Sequence, residues 1–129
     1  MTSEKKALNA ALMDISALPD TFAYRQNTGQ AWQGRHVDVA VGEYVRVTPG
    51  MRILAEARPI SFGLPGAGDI VGHRRGFAFQ VEMKTLTGPQ REEQRSFERA
   101  WKKTGGIYVL ARSAGEAVSA LEDDFKFLL

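Results

Sequence analysis

The run Phe77-Ala78-Phe79-Gln80-Val81-Glu82-Met83-Lys84 constrains this chain more than any other stretch. Side chains on a strand alternate between its two faces. Phe77, Phe79, Val81 and Met83 therefore share one face, which is wholly apolar and belongs in a core. Ala78, Gln80, Glu82 and Lys84 share the other. Such a strand needs a sheet beside it and apolar cover above it. It also brings a carboxylate and an amine together near one end.

The neighbouring segments supply that sheet. Gly63-Leu64-Pro65-Gly66-Ala67-Gly68 is a breaker cluster. Asp69-Ile70-Val71 reads as a short strand and residues 72–76 as a turn, so that residues 69–84 form a hairpin. Thr87-Gly88-Pro89 predicts a helix start, with Pro89 in the first turn, and Gly105-Gly106 its end. Ile107 to Ala111 is fully apolar, as in a strand covered on both faces. Ser113 with Glu116 makes a capping box for a last helix, whose expected buried stripe is Val118, Leu121, Phe125 and Leu128. At the other end, residues 3–18 show a helical stripe of Leu8, Ala11, Leu12 and Ile15, capped by Thr2 or Ser3 and stopped by Pro19. Glu4 falls one turn before Leu8 and is expected on the apolar face. Residues 25–35 read as polar and turn-rich. Val37, Val39 and Val41, then Tyr44 to Val47, read as a hairpin, and Arg52 to Arg58 as a further strand. The expected fold is α/β: one domain over residues 1–129, with a mixed β-sheet flanked by helices. The helix after Pro89 would cross over between parallel strands.

Composition narrows the chemistry. The 129 residues suit one domain. The chain has no cysteine and only two histidines, so thiolate metal sites are excluded and a typical zinc site is not expected. A metal would need oxygen ligands, which points to Mg2+ or Mn2+. A net charge of +2 permits a polyanionic partner. No leader-like or membrane-length apolar run is read, and the expected location is cytoplasmic.

Asp69, Glu82 and Lys84 are expected to converge at one edge of the sheet. Two carboxylates and a backbone carbonyl can hold a divalent cation, and an adjacent lysine can orient water and stabilise charge on a phosphate. That set suits phosphodiester hydrolysis. Gln90, Gln94, Phe97 and Trp101 share one helical stripe, which turns Gln94 towards the sheet near Glu82. A buried glutamine needs polar partners, and such a site supplies them.

The pattern of Asp69 followed by Glu82-Met83-Lys84 resembles the core of the PD-(D/E)XK nuclease superfamily. Glu4, Arg25-Gln26-Asn27-Thr28-Gly29, the Gly63 to Ile70 segment, Val81 to Lys84, Gln94 and Gly105 to Ser113 follow in the order of one branch. That branch is the VRR-NUC domain of virus-type replication-repair nucleases. The resemblance spans nearly the whole chain and departs over residues 35–60, where extra hairpin sequence is read. It implies a restriction-endonuclease-like fold and a Mg2+- or Mn2+-dependent endonuclease acting on DNA, with branched or junction DNA favoured. It implies that Asp69, Glu82 and the Met83 carbonyl bind metal, that Lys84 positions water, and that Gln94 and Glu4 support the site. It also suggests a setting in a prokaryotic or phage-infected cell. One site per chain, against a junction cut on two strands, leads to an expected homodimer.

Plainer readings stand beside these. Glu82 and Lys84 alone would make an ordinary exposed pair, and Glu4 an ordinary first-turn glutamate. Arg91, Arg95 and Arg99 form a phosphate-contacting stripe or, with Glu92, Glu93 and Glu98 interleaved, a solvated face. His73, Arg74 and Arg75 are expected in a turn near Asp69, with DNA contact favoured. Arg25, Asn27 and Gln30 touch the DNA backbone or close a loop. His36 reads as a strand-face residue, and Trp32 and Tyr108 as packing residues. The rival from another class is a non-catalytic DNA-binding or assembly module. A third is a hydrolase of small phosphate compounds, for which no base-recognition motif is evident.

Overall fold

The computed structural model describes residues 3–38, 42–44, 46 and 48–128. The chain is mixed α/β and divides into two units, residues 1–28 with 63–129, and Gly29–Phe62. In the larger unit, helix α1 (Ser3–Ser16) leads into strand β1 (Thr21–Arg25). Numbered in chain order, the smaller unit holds β2 (Gly29–Val37) and β3 (Ile53–Phe62). The larger unit resumes with β4 (Ile70–Arg74), β5 (Phe77–Met83), α2 (Glu92–Lys103), β6 (Ile107–Ala111) and α3 (Ala114–Lys126).

The alternating strand is internal, as its two-faced pattern requires. The sheet order is β1-β4-β5-β6. β4 runs antiparallel to β1 and β5, and β6 runs parallel to β5. The parallel pair is joined through α2, which is the expected crossover. Phe79, Val81 and Met83 lie buried with Ile70, Val109 and Ala111 on the face covered by α1 and α3. There Phe79 meets Phe125 edge-on at 6.0 Å. The opposite face meets α2, where Phe97 packs on Tyr108 at 6.1 Å. Trp101 Nε1 donates to the Ile107 carbonyl at 2.9 Å.

Several boundaries differ from the sequence reading. Residues 72–74 are strand, and the turn shrinks to Arg75 and Gly76, with φ of 49° and 85°. Two consecutive left-handed residues give the tight hairpin turn whose twist matches its strands. α2 begins at Glu92, later than Pro89 suggested, because Gln94 reaches back to the Arg91 N–H and fixes the start there. Ser113 caps α3 as expected, accepting from the Glu116 N–H at 3.1 Å. Leu128 is exposed rather than part of the buried stripe, since α3 ends before it. β1 has no counterpart among the expected strands.

In the smaller unit, β2 and β3 form an antiparallel ribbon from Gly29↔Phe62 to Val37↔Ile53, with an irregularity between Gln33 and Arg35. Residues 29–35 are therefore strand rather than turn. Their polarity reflects a ribbon exposed on nearly every residue. The expected partner of Val37 in residues 44–47 is replaced by Ile53, a position inside the strand read for residues 52–58. Val39, Val41, Val45 and Val47, like the Thr2 cap, lie outside the described residues. Trp32 is 67% exposed and is not a packing residue. His36 lies on a strand, as read.

Candidate active site

Two neighbouring strand ends build the site. Asp69 precedes β4, and its register partner region is the end of β5, where Ile70 pairs with Val81. Asp69 Oδ2 accepts the Met83 N–H at 2.9 Å. The Asp69 carbonyl accepts the Gln26 N–H at 2.9 Å, which continues the β1 ladder by one step. Glu82 points to the α2 side, and only 6% of it is exposed. Its Oε1 accepts from Gln94 Nε2 at 2.7 Å and lies 3.4 Å from Lys84 Nζ. Gln94 is 2% exposed and uses both ends of its amide, one on Glu82 and the other on the start of α2. The glutamine predicted to face the sheet thus ties a helix cap to a site carboxylate. Each carboxylate spends one oxygen in these contacts, leaving Asp69 Oδ1 and Glu82 Oε2.

The glycine-rich segment positions Asp69 by close approach. A side chain at Gly66 would overlap the Glu93 carbonyl, and the residue has φ of 86°. A Cβ at Gly68 would stand 2.9 Å from the Val81 carbonyl oxygen. These glycines let the chain pass against both the start of α2 and the backbone of β5.

Gln26 and Gln80 belong to the same construction and escaped the sequence reading. Gln80 Oε1 accepts from the Gly68 N–H at 2.7 Å and from Gln26 Nε2 at 3.2 Å. Gln26 Nε2 also donates to the Gly68 carbonyl at 2.9 Å. The signal was a glutamine inside a strand that is buried on both faces. Such a group must find partners.

Burial pushes the Glu82 carboxyl up to about 7, and the charge of Asp69 adds to the rise, while Lys84 and Gln94 oppose it. Burial also holds the Asp69 carboxyl above its ordinary value, against the Met83 N–H and Lys84, with Glu4 adding to the rise and Arg25 opposing it. Burial, followed by Glu82 and Glu98, keeps the Tyr108 hydroxyl protonated. Lys84 acts on both carboxyls, and Arg25 acts on Asp69 as a second cation. Among the described residues no three His, Cys, Asp or Glu side chains group closely enough to hold an ion. Asp69 Oδ1 and Glu82 Oε2, left over from these contacts, are hard oxygen donors of the kind that Mg2+ takes.

The carboxyl shifts set a sign for stability. A carboxyl whose folded pKa is raised binds more protons folded than unfolded between its ordinary pKa and the raised one. Its stabilising contribution is complete below the ordinary carboxylate range and is lost as pH rises towards 7. Metal-free protein is therefore expected to be less stable at pH 8 than at pH 5, by chemical denaturation. Glu82→Gln should flatten that slope. A slope of the opposite sign that persists in Glu82→Gln would show that the Asp69–Glu82 pair does not govern it.

The other expected site residues divide. Glu4 is exposed rather than on the apolar face. It nonetheless lines an open cleft of about 250 Å3 with Lys5, Leu8, Arg25, Asp69 and Met83. Arg25 ends β1 beside Asp69, and Asn27 is exposed in the following loop. His73, Arg74 and Arg75 do not approach Asp69. The antiparallel ladder sends the turn to the far end of the sheet, five residues from Asp69 at Arg74, or roughly 17 Å at ordinary strand rise. His73 stacks on Phe22 at 6.1 Å, Arg74 lies 5.1 Å over Phe125, and Arg75 pairs with Asp20 at 2.9 Å. On α2, Arg95 and Arg99 pair with Glu92 at 2.8 and 3.7 Å, and Lys102 pairs with Glu98 at 2.7 Å. That stripe is an internally paired, solvated face. Arg91 is exposed before the helix start. Comparison with models of known protein families and with curated proteins finds no match.

Proposed function

We propose that this chain is a divalent-metal-dependent nuclease that hydrolyses DNA phosphodiester bonds, with a restriction-endonuclease-like core of the VRR-NUC kind. The observation that carries this reading is the convergence of Asp69, Glu82, Lys84 and Gln94 on adjoining strand ends, each carboxylate with an oxygen to spare. Asp69, Glu82 and the Met83 carbonyl would hold Mg2+ or Mn2+. The ion would supply Lewis-acid polarisation of the phosphate and a more acidic water. Lys84 Nζ, anchored by Glu82, orients the attacking water and stabilises charge on the phosphate oxygens. The water oxygen forms a new bond to phosphorus as the bond to one sugar oxygen breaks. The water gives up a proton, and the departing oxygen takes one. Gln94 fixes the Glu82 rotamer, and Glu4 places a further carboxylate at the cleft. Branched DNA is the favoured substrate, and a homodimer would pair two sites for cuts on two strands.

The test is cleavage of labelled four-way junction, flap, duplex and single-stranded DNA with Mg2+, Mn2+ or EDTA. Metal-dependent cutting, strongest on the branched substrates, is expected. Binding without cutting under every metal condition would leave a non-catalytic DNA-binding module.

A further inference from the structure

Between β5 and α2 the chain turns at Thr85 to Gly88, and Arg112, just past the end of β6, holds that turn. The Lys84 N–H donates to the Ala111 carbonyl at 2.9 Å, which brings the two chain segments side by side. The Gly88 N–H closes the turn on the Thr85 carbonyl at 3.3 Å. A Cβ at Gly88 would stand 2.7 Å from Thr85 Oγ1, so the turn is closely packed. Arg112 Nη1 donates to the Thr85 carbonyl and, at 2.8 Å, to the Gly88 carbonyl. Both contacts use one nitrogen, which leaves Nε and Nη2 as a planar fork. Other arginines spend their charge within the protein. Arg75 pairs with Asp20, Arg95 and Arg99 pair with Glu92, and Arg25 acts on Asp69. Among the described residues Arg112 pairs with no carboxylate. Neutral carbonyls therefore immobilise its guanidinium, and its charge is kept at the end of the sheet where Glu82 and Lys84 lie.

We propose that Arg112 is a phosphate-binding residue, whose Nε–Nη2 fork takes two oxygens of the DNA backbone phosphate next to the scissile one. Chemistry and position select that occupant. A guanidinium fork matches two phosphate oxygens in one plane, which a lysine cannot do. Anchoring through Nη1 reduces the side-chain ordering that such a contact would otherwise cost on binding. Stapling two carbonyls needs only hydrogen-bond donors, which an uncharged amide supplies. The unpaired charge is what a phosphate accounts for. Phosphates of one strand recur every 3.4 Å or so of helix axis. A strand whose scissile phosphate lies at Lys84 therefore brings another within reach of a side chain one strand spacing away, about 4.8 Å. The inference rests on the nuclease reading for which phosphate is bound, whereas the contact itself needs no cleavage.

The test separates the two. Binding of a labelled four-way junction and a blunt duplex is measured in EDTA by fluorescence anisotropy over a salt series, and cleavage separately with Mg2+. Each phosphate contact contributes about 0.9 to the slope of log affinity against log salt. Arg112→Gln keeps an amide for the turn carbonyls and is expected to reduce that slope by about 0.9 on both probes. Arg112→Lys keeps the charge and should keep the wild-type slope. Arg99→Gln, on the internally paired face of α2, should keep it too. A wild-type slope in Arg112→Gln, even with weaker binding or slower cleavage, overturns the proposal and leaves Arg112 as a staple of the turn. An equal fall in Arg99→Gln also overturns it, by making the loss one of overall charge. Wild type supplies a reading that no variant's folding affects. The Arg112 Nε–H resonance of isotope-labelled protein should shift when duplex is added in EDTA, and an unmoved resonance overturns the contact. If the slope falls as expected and nothing is cut with Mg2+, the contact stands and the nuclease reading falls.

Discussion

Lys84→Ala is expected to lower the rate of metal-dependent DNA cleavage by about a thousandfold while leaving DNA binding in EDTA nearly unchanged. Removing one preorganised donor from a developing oxyanion costs on the order of 100- to 1000-fold. Lys84 sits at the upper end because it is the cation in the salt bridge to Glu82, at 3.4 Å, and its side chain is 13% exposed. Its loss leaves Glu82 with Gln94 alone, and Lys84 is one of the influences that lower the Glu82 pKa. Metal-free Lys84→Ala should therefore hold the Glu82 proton more firmly than wild type. It should fold normally, since the change removes no apolar core contact. A variant that cuts at the wild-type rate would remove Lys84 from the chemistry. Rate measured under single turnover, beside anisotropy for binding, distinguishes lost chemistry from lost affinity.

The second large effect is structural and acts on the same site. Gly66→Ala is expected to cost about 3 kcal/mol, combining a left-handed backbone conformation with overlap on the Glu93 carbonyl. For a chain of this size the melting temperature should fall on the order of 10 °C. The contact lies at the start of α2, beside Gln94, so relief of the overlap displaces the group that holds Glu82. Surviving folded protein should cleave poorly. Gly76→Ala is the control. Its residue also has positive φ, at 85°, but nothing stands within 4 Å of the added Cβ. It should cost only the conformational part. Equal losses for the two variants would show that close approach to α2 does not matter.

The central strand and its site were readable because their signals are local. Period-two alternation in Phe77 to Lys84 gave the buried face and put Glu82 and Lys84 together. Helical spacing turned Gln94 inward. The apolar run from Ile107 to Ala111 and the Ser113 cap fell where they were expected. What escaped depends on partners distant in sequence. β1 is a short edge strand whose aromatic residues face outward, so it carries no inward apolar pattern of its own. β2 is polar because nearly all of it is exposed, and its pairing with β3 closes across residues 38–52. The basic turn was expected near Asp69, but an antiparallel ladder fixes a turn and the opposite strand ends at different edges. Gln26 and Gln80 serve Gly68 through contacts spanning 42 and 12 residues, which no local period reveals.

The account stands on Asp69 and Glu82 forming a site for a divalent cation, and Mn2+ titration by calorimetry tests that most directly. Wild-type protein at pH 8 should bind Mn2+ saturably, with weaker binding at pH 6, where the Glu82 proton competes. Asp69→Asn should lose the binding while keeping its fold. Saturable binding that is unchanged in Asp69→Asn, or no binding by wild type at pH 8, would contradict the account.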